Sequence, residues 1–285
     1  MIHYCSFSII KKSYILIIIF CFNIFGYPDC TIYTAGINFL ARLLKGVMNI
    51  QRIIGQVRRA IQDYNMIEEG DKIAVGVSGG KDSMTLLIAL QQLQRFFPKK
   101  FELEAISLTM GIGNEDFTPI AEYFRQIGIN YTIEETIIGK IVFEIRQEHN
   151  PCSMCANLRR GALHNSAKRL GCNKVALGHH RDDAIETLLL STFYEGRIHT
   201  FSPVTYLSKK DLYLIRPLIY TEESEIKDIV KSGQLPIVKS PCKFDGNTKR
   251  QYIKDLIHEL QKEKSDIKSN LFGAIKRSEI DGWHE

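Results

Sequence analysis

The sequence predicts an α/β fold, a mostly parallel sheet with helices on both faces, on three observations. Short β-branched runs alternate with longer amphipathic stretches along most of the chain, the pattern of strands joined by crossover helices. Two of those runs end in a turn that opens a helix, at Ser78-Gly79-Gly80-Lys81-Asp82-Ser83 and at Gly178-His179-His180-Arg181-Asp182-Asp183. The 285 residues are 45% hydrophobic and 24% charged, which excludes a disordered or fibrous chain and suits one large α/β domain or two small ones.

Residues 1–47 stand apart from this pattern. Lys11 and Lys12 precede the apolar run Tyr14–Phe22, which has the order of a signal peptide but is shorter than the roughly 20 apolar residues that cross a bilayer. The segment is rich in Ile, Phe, Tyr, Asn and Lys, as translated AT-rich non-coding DNA would be. We read it as a leader ahead of a misplaced start, or an apolar extension, with the true start at Met48; a membrane anchor or a secretory signal are the other readings. Without it the net charge falls from +5 to +2, too mild to name a polyanionic partner by itself. No internal repeat or low-complexity tract is visible. Residues 48–285 form the expected domain.

The elements follow in order. Ile50, Ile53, Ile54, Val57 and Ile61 fall on one face of a helix from about Asn49 to Tyr64. Lys72–Val77 reads as the first strand and Met84–Leu90 as part of the helix after the glycine turn. A strand at Leu103–Leu108, a helix at Pro119–Ile127 and a strand at Asn130–Glu134 come next. A helix over Ala156–Leu170 leads to the strand Lys174–Gly178, and a helix over Ala184–Phe193 follows. The last strand is Leu212–Ile215, before Arg216-Pro217-Leu218, and from Glu222 the chain reads as helical and charged. In such sheets ligands bind beyond the carboxyl ends of the strands, where Ser78 and His179 both fall.

The first turn is built for an anion. Gly79 and Gly80 allow close backbone approach, Ser78 and Ser83 add hydroxyls, Lys81 adds a cation, and a helix N-terminus presents free N–H groups. A Walker A loop is excluded, because it requires glycine at position 75 and Ser or Thr at 82, where Val75 and Asp82 stand. The six residues resemble instead the pyrophosphate loop of the PP-loop ATPases, which split ATP between its α- and β-phosphates. In the second turn, Asp183 and Thr187 share a helix face. Two unit charges about 4 Å apart repel by about 4 kcal/mol at an effective dielectric near 20. Asp82 and Asp183 beside a triphosphate therefore imply Mg²⁺ between them. A plain helix cap and a zinc-binding His–Asp pair are the competing readings.

Cys152 and Cys155 form a Cys-x-x-Cys at a loop–helix boundary. This suits zinc, an iron–sulfur cluster or a redox pair, and three thiolates on a four-iron cluster would leave one iron open. Cys242 follows Pro241, while Cys172 opens a strand and reads as a small buried hydrophobe. Seven cysteines in this arrangement suit a reducing compartment rather than disulfide stapling. Arg159, Arg160, His164, Lys168 and Arg169 make one helix side basic, either a solvated face or an RNA contact.

Together these residues resemble the tRNA 2-thiocytidine synthase (TtcA) group of the PP-loop ATPases. The resemblance rests on residues 78–83, on Cys152 to Gly161 with its Leu-Arg-Arg-Gly, on Gly178 to Asp183, on 216–218 and on 241–242, in that order. It covers about Met48 to His258 and implies a Rossmann-like PP-loop ATPase fold. It further implies ATP and Mg²⁺ at Ser78, Gly79, Gly80, Lys81, Asp82, Ser83, Gly178, His179 and Asp183, and a 4Fe-4S cluster on Cys152, Cys155 and Cys242. The implied activity is adenylation of a pyrimidine carbonyl in tRNA and replacement of AMP by sulfur, with Asp82, Asp183, Cys152 and Cys155 catalytic. The implied partners are tRNA and a sulfur donor such as a cysteine desulfurase; a homodimer is left open, the location is cytoplasmic and no membrane is expected. Some members carry a further cysteine soon after the late one; here Lys243–Thr248 has none. A lysidine-synthase-like ligase and a zinc-dependent RNA-binding module are the alternatives. The ligase needs no cysteines.

Overall fold

The computed structural model describes residues 49–111, 115–146, 151–232, 235–238 and 249–284. Six strands form one sheet in the order β3-β2-β1-β4-β6-β5: β1 (Asp71–Gly76), β2 (Phe101–Leu108), β3 (Asn130–Glu134), β4 (Lys174–Ala176), β5 (Val204–Leu207) and β6 (Leu212–Ile215). All neighbours are parallel except β5, which pairs antiparallel with β6. The helices are α1 (49–63), α2 (Lys81–Leu93), α3 (Thr118–Ile127), α4 (Pro151–Arg169), α5 (Arg181–Glu195), α6 (Glu223–Lys231), α7 (Lys249–Glu263) and α8 (Ile267–Arg277), with a π-helical turn at Lys140–Ile145.

Period-two alternation sets the two sheet faces. Ile73 and Val75 of β1, Leu103 and Ala105 of β2 and Ile215 of β6 join the larger apolar cluster, with Ile53, Val57 and Ile61 of α1 and Leu86, Leu87 and Leu90 of α2. Ala74, Ile106, Val175, Leu212 and Leu214 face the other way, into a smaller cluster with Leu163, Ala167 and Cys172. Burial of each such Ile or Leu contributes about 1.5–3 kcal/mol. The second face is the thinly covered one: α4 lies against β2 and β4 there, and the cleft described below opens beside it.

After β1 the chain builds outward through β2 and β3, then returns to place β4 on the other flank of β1. That reversal is the switch point at which open α/β sheets bind ligands. The buried pair Asp71–Lys174 (2.7 Å) ties the starts of β1 and β4 together, and the register Val75↔Ala176 brings their two turns side by side.

The sequence reading places β1 to β4 and β6 within a few residues, and misses β5 and the π-helical turn. α4 starts at Pro151, five residues before the predicted Ala156, so Cys152 and Cys155 sit in its first turns. His164, expected on a basic helix side, is buried, and Arg169 and Lys168 pair with Glu134 and Asp211. The basic side therefore reduces to Arg159 and Arg160. The leader and Cys242 lie outside the described residues.

Candidate active site

The phosphate-loop turn is held by its own serines. Ser83 Oγ donates to the Gly80 carbonyl (3.0 Å) and accepts from the Ser78 N–H (3.2 Å), while Gly80 N–H donates to Ser78 Oγ (3.3 Å). Gly79 is left-handed (φ +78), and its carbonyl accepts from the Val238 N–H at 3.0 Å. No side chain caps α2, which leaves its first-turn N–H groups to an anion.

The second turn abuts the first. A Cβ on Gly178 would lie 3.0 Å from Asp82 C and from Ser83 N, so only glycine lets the two loops meet this closely. α5 is capped reciprocally: Asp183 Oδ2 accepts from the His180 N–H (3.0 Å) and His180 Nδ1 accepts from the Asp183 N–H (3.4 Å). His180 and Asp183 thus cap α5 together, and the same carboxylate also lines the cleft.

The resulting cleft measures about 760 Å³. Its polar end is formed by Ser78, Asp82, Ser83, His179, Asp183, Thr187 and Arg250, and its apolar walls by Leu108, Leu163, Leu177 and Leu214. α4 lines it at Ala156, Arg159, Arg160 and Leu163. Ala156 and Arg159 line the cleft, and Cys152 and Cys155 lie one turn N-terminal to them, four residues earlier in each case. Cys152 is exposed and Cys155 half-buried, whereas Cys172 is buried away from the cleft, its thiol pushed up to about 11 by burial.

His179 is open to solvent in the cleft but walled in by protein. That enclosure, with Arg216 and Arg250 nearby, pushes its pKa down to about 4, so it is neutral at pH 7. Asp182 is buried; burial opposes its charge, but hydrogen bonds from Lys268 Nζ (2.6 Å) and Glu223 N–H (2.8 Å) hold its carboxyl below the usual range. It is a strut between α5, α6 and α8.

The PP-loop domain family matches residues 50–260. Proteins named tRNA-cytidine(32) 2-sulfurtransferase from Geobacter sulfurreducens and Pelobacter propionicus are 40% and 41% identical over 228 residues, 79% of this chain and 89% and 85% of theirs. The chain belongs to the tRNA-cytidine(32) 2-sulfurtransferase family of PP-loop proteins. Among solved structures, it is similar to the U34-tRNA thiolase NcsA of Methanococcus maripaludis with its 4Fe-4S cluster. The TM-score is 0.66 at 23% identity over 82% of this chain and 79% of that one, a likeness of fold.

The structure adds partners and residues to the site that the sequence reading does not give. Lys81, expected at the phosphates, is paired with Asp82 (2.9 Å) and Glu223 (3.2 Å) beside the cleft lining. Arg250, which the reading does not single out, reaches Asp183 (3.4 Å), Glu186 (2.9 Å) and Thr187 (3.4 Å). Each carboxylate meant for Mg²⁺ therefore has a cation beside it. The pair still suits a divalent ion: Asp82 Oδ1 and Asp183 Oδ2 lie 3.7 and 3.5 Å from the same atom, His180 Nε2, and two hard oxygen donors converging on a phosphate site are a common Mg²⁺ arrangement. Two thiols one helical turn apart likewise suit a thiophilic centre. Among the described residues no three His, Cys, Asp or Glu side chains form a metal-sized group, and no helix is long and apolar enough to cross a membrane.

Proposed function

We propose that this chain is an ATP-dependent tRNA sulfurtransferase acting on cytidine 32. The observation that carries the reading is one cleft lined by the phosphate loop, by Asp183 and by Ala156 and Arg159 of the helix whose preceding turn carries Cys152 and Cys155, in a chain about 40% identical to named 2-sulfurtransferases. The first-turn N–H groups of α2, with Ser78 and Ser83, take the pyrophosphate end of ATP; Gly79, Gly80 and Gly178 allow the approach. Asp82 and Asp183 would hold Mg²⁺, with His179 and Lys81 flanking them. The cytosine O2 attacks the α-phosphorus and the bond to the bridging oxygen breaks, releasing pyrophosphate. Sulfide then attacks C2, and AMP leaves with the former carbonyl oxygen.

Cys152 and Cys155, with Cys242 as third ligand, would hold a 4Fe-4S cluster, which when bound supplies an open iron for sulfide. Support for Cys242 comes from its described neighbours in sequence: Val238, four residues before it, is bonded to Gly79, and Arg250, eight after it, reaches Asp183. A sulfur donor such as a cysteine desulfurase and a cytoplasmic location follow from the chemistry, which needs ATP and reduced thiols. The domain is residues 48–285, with 1–47 a dispensable leader.

The test is anaerobic incubation of the purified protein with tRNA, ATP, Mg²⁺ and sulfide. Pyrophosphate, AMP and 2-thiocytidine are expected in equal amounts; ADP as the nucleotide product would refute the reading.

A further inference from the structure

The cations of the cleft fall into two groups. On the α2–α5 side Arg250 pairs with Asp183 and Glu186, and Lys81, just outside the lining, pairs with Asp82 and Glu223. On the α4–β6 side Arg159, Arg160 and Arg216 line the cleft, and none of the three has an ion pair among the described residues. Arg159 and Arg160 are exposed at the rim, Arg160 donating to Asn157 Oδ1 (2.7 Å). Arg216 lines the cleft and is only 7% exposed. Its Nη1 donates to the Ser202 carbonyl (2.6 Å) and to Thr205 Oγ1 (3.2 Å), and its guanidinium stands 5.2 Å from the Phe201 ring centroid. Its Nε is buried without an acceptor, and its Nη2 makes no hydrogen bond among the described residues.

A buried cation without a counter-charge costs several kcal/mol. Burial, with the Arg160 charge nearby, lowers the Arg216 pKa to about 10, so the charge persists at neutral pH. An anion is therefore the missing partner. The pyrophosphate end of ATP belongs at the open N-terminus of α2, which leaves the α-phosphate of ATP as the competing anion that the ATP-binding measurement below separates.

We propose that Arg159, Arg160 and Arg216 form a second phosphate track, which binds the phosphodiesters of the RNA strand that carries the target base. This rests on the tRNA reading above. A base that is modified inside a cleft must leave its stack and enter, and it brings its own phosphodiester with it. The exposed arginines meet the strand at the rim, and Arg216 takes the entering phosphate with a planar fork suited to it. The rings of His179 and Phe201, 5.0 Å apart, lie beside Arg216 and offer the extruded base an aromatic surface.

The test compares wild type, the double variant Arg159→Gln/Arg160→Gln and Arg216→Lys by tRNA binding at several salt concentrations, with ATP binding measured separately without tRNA. The double variant is expected to bind tRNA about tenfold more weakly. Its salt slope should fall by about 1.4, about 0.7 for each phosphate of a single strand that an arginine no longer neutralises. Arg216→Lys, which keeps the charge but not the fork, should also weaken tRNA binding, and ATP affinity should stay within about twofold in both. Unchanged tRNA affinity and slope in the double variant would overturn the proposal, as would an equal loss of ATP affinity, which would assign the arginines to ATP. Should Arg216→Lys not fold, the exposed pair decides alone. A wild type that binds no tRNA would overturn the tRNA reading itself, and this proposal with it.

Discussion

Gly178→Ala tests whether the contact between the two loops sets the reaction geometry. The added Cβ would lie 3.0 Å from Asp82 C and Ser83 N and 3.2 Å from Asp82 O, against a favourable separation of about 3.5–4.0 Å. The first turn of α2 must retreat by roughly 0.5 Å, and because the obstacle is backbone no side chain can swing aside. Gly178 is not among the residues with positive φ, so alanine brings no conformational strain and the effect is purely steric. Overpacking of this kind costs about 1–3 kcal/mol, a fall in Tm of roughly 3–10 °C at this size. The displaced atoms belong to Asp82 and Ser83; a misplacement of about 1 Å costs about a hundredfold in rate, and half of that about tenfold. We therefore expect pyrophosphate release about tenfold slower in a protein that still folds. Gly161→Ala is the control: no atom lies within 4 Å of its added Cβ, and in the interior of α4 it should stabilise by about 0.5–1 kcal/mol and leave turnover unchanged. Wild-type pyrophosphate release in Gly178→Ala would show that the loop contact does not govern the site.

Asp82→Ala should slow pyrophosphate release about a hundredfold, on the order of 3 kcal/mol, with the melting curve little changed; full turnover would remove Asp82 from the proposed Mg²⁺ site. Cys242→Ala should lose bound iron and thiolation and keep ATP binding, whereas Cys172→Ala, a change in a buried apolar site, should keep all three; full iron in Cys242→Ala would break the three-cysteine proposal. Burial opposes the charge of Glu223, but Lys227, Lys81 and Lys254 hold its pKa at about 2 against an ordinary 4.5. Its contribution to stability is thus complete above pH 4.5 and lost as pH falls toward 2. Glu223→Gln should flatten the stability profile across that window, and an unchanged acid limb would count against the ion-pair cluster. A chain beginning at Met48 should fold and thiolate tRNA as well as the longer one, and loss of either property would give residues 1–47 a role.

Much of the site is legible in the sequence because its chemistry is local. A strand, a glycine turn and a helix N-terminus are contiguous at 78–83 and at 178–183, so both loops and their acidic residues can be read directly. β5 escapes such a reading because Val-Thr-Tyr-Leu is short and lies at the sheet edge, where Tyr206 is exposed; the turn before β6, with Asp211 at φ +47, is the available signal. The ion partner of Lys81 is not legible because local sequence cannot show Glu223, which α6 brings beside it from 142 positions away. Arg250 enters the cleft from α7 with no motif to mark it. The Arg-Pro-Leu run is visible in the sequence, but only packing shows that the Arg216 charge is buried without a carboxylate.

The most direct test of the account is nucleoside mass spectrometry of total tRNA from cells in which this gene is deleted. Loss of 2-thiocytidine at position 32, restored by the wild-type gene and not by Asp82→Ala, is the predicted result. Undiminished 2-thiocytidine in the deletion strain would contradict the account at its centre.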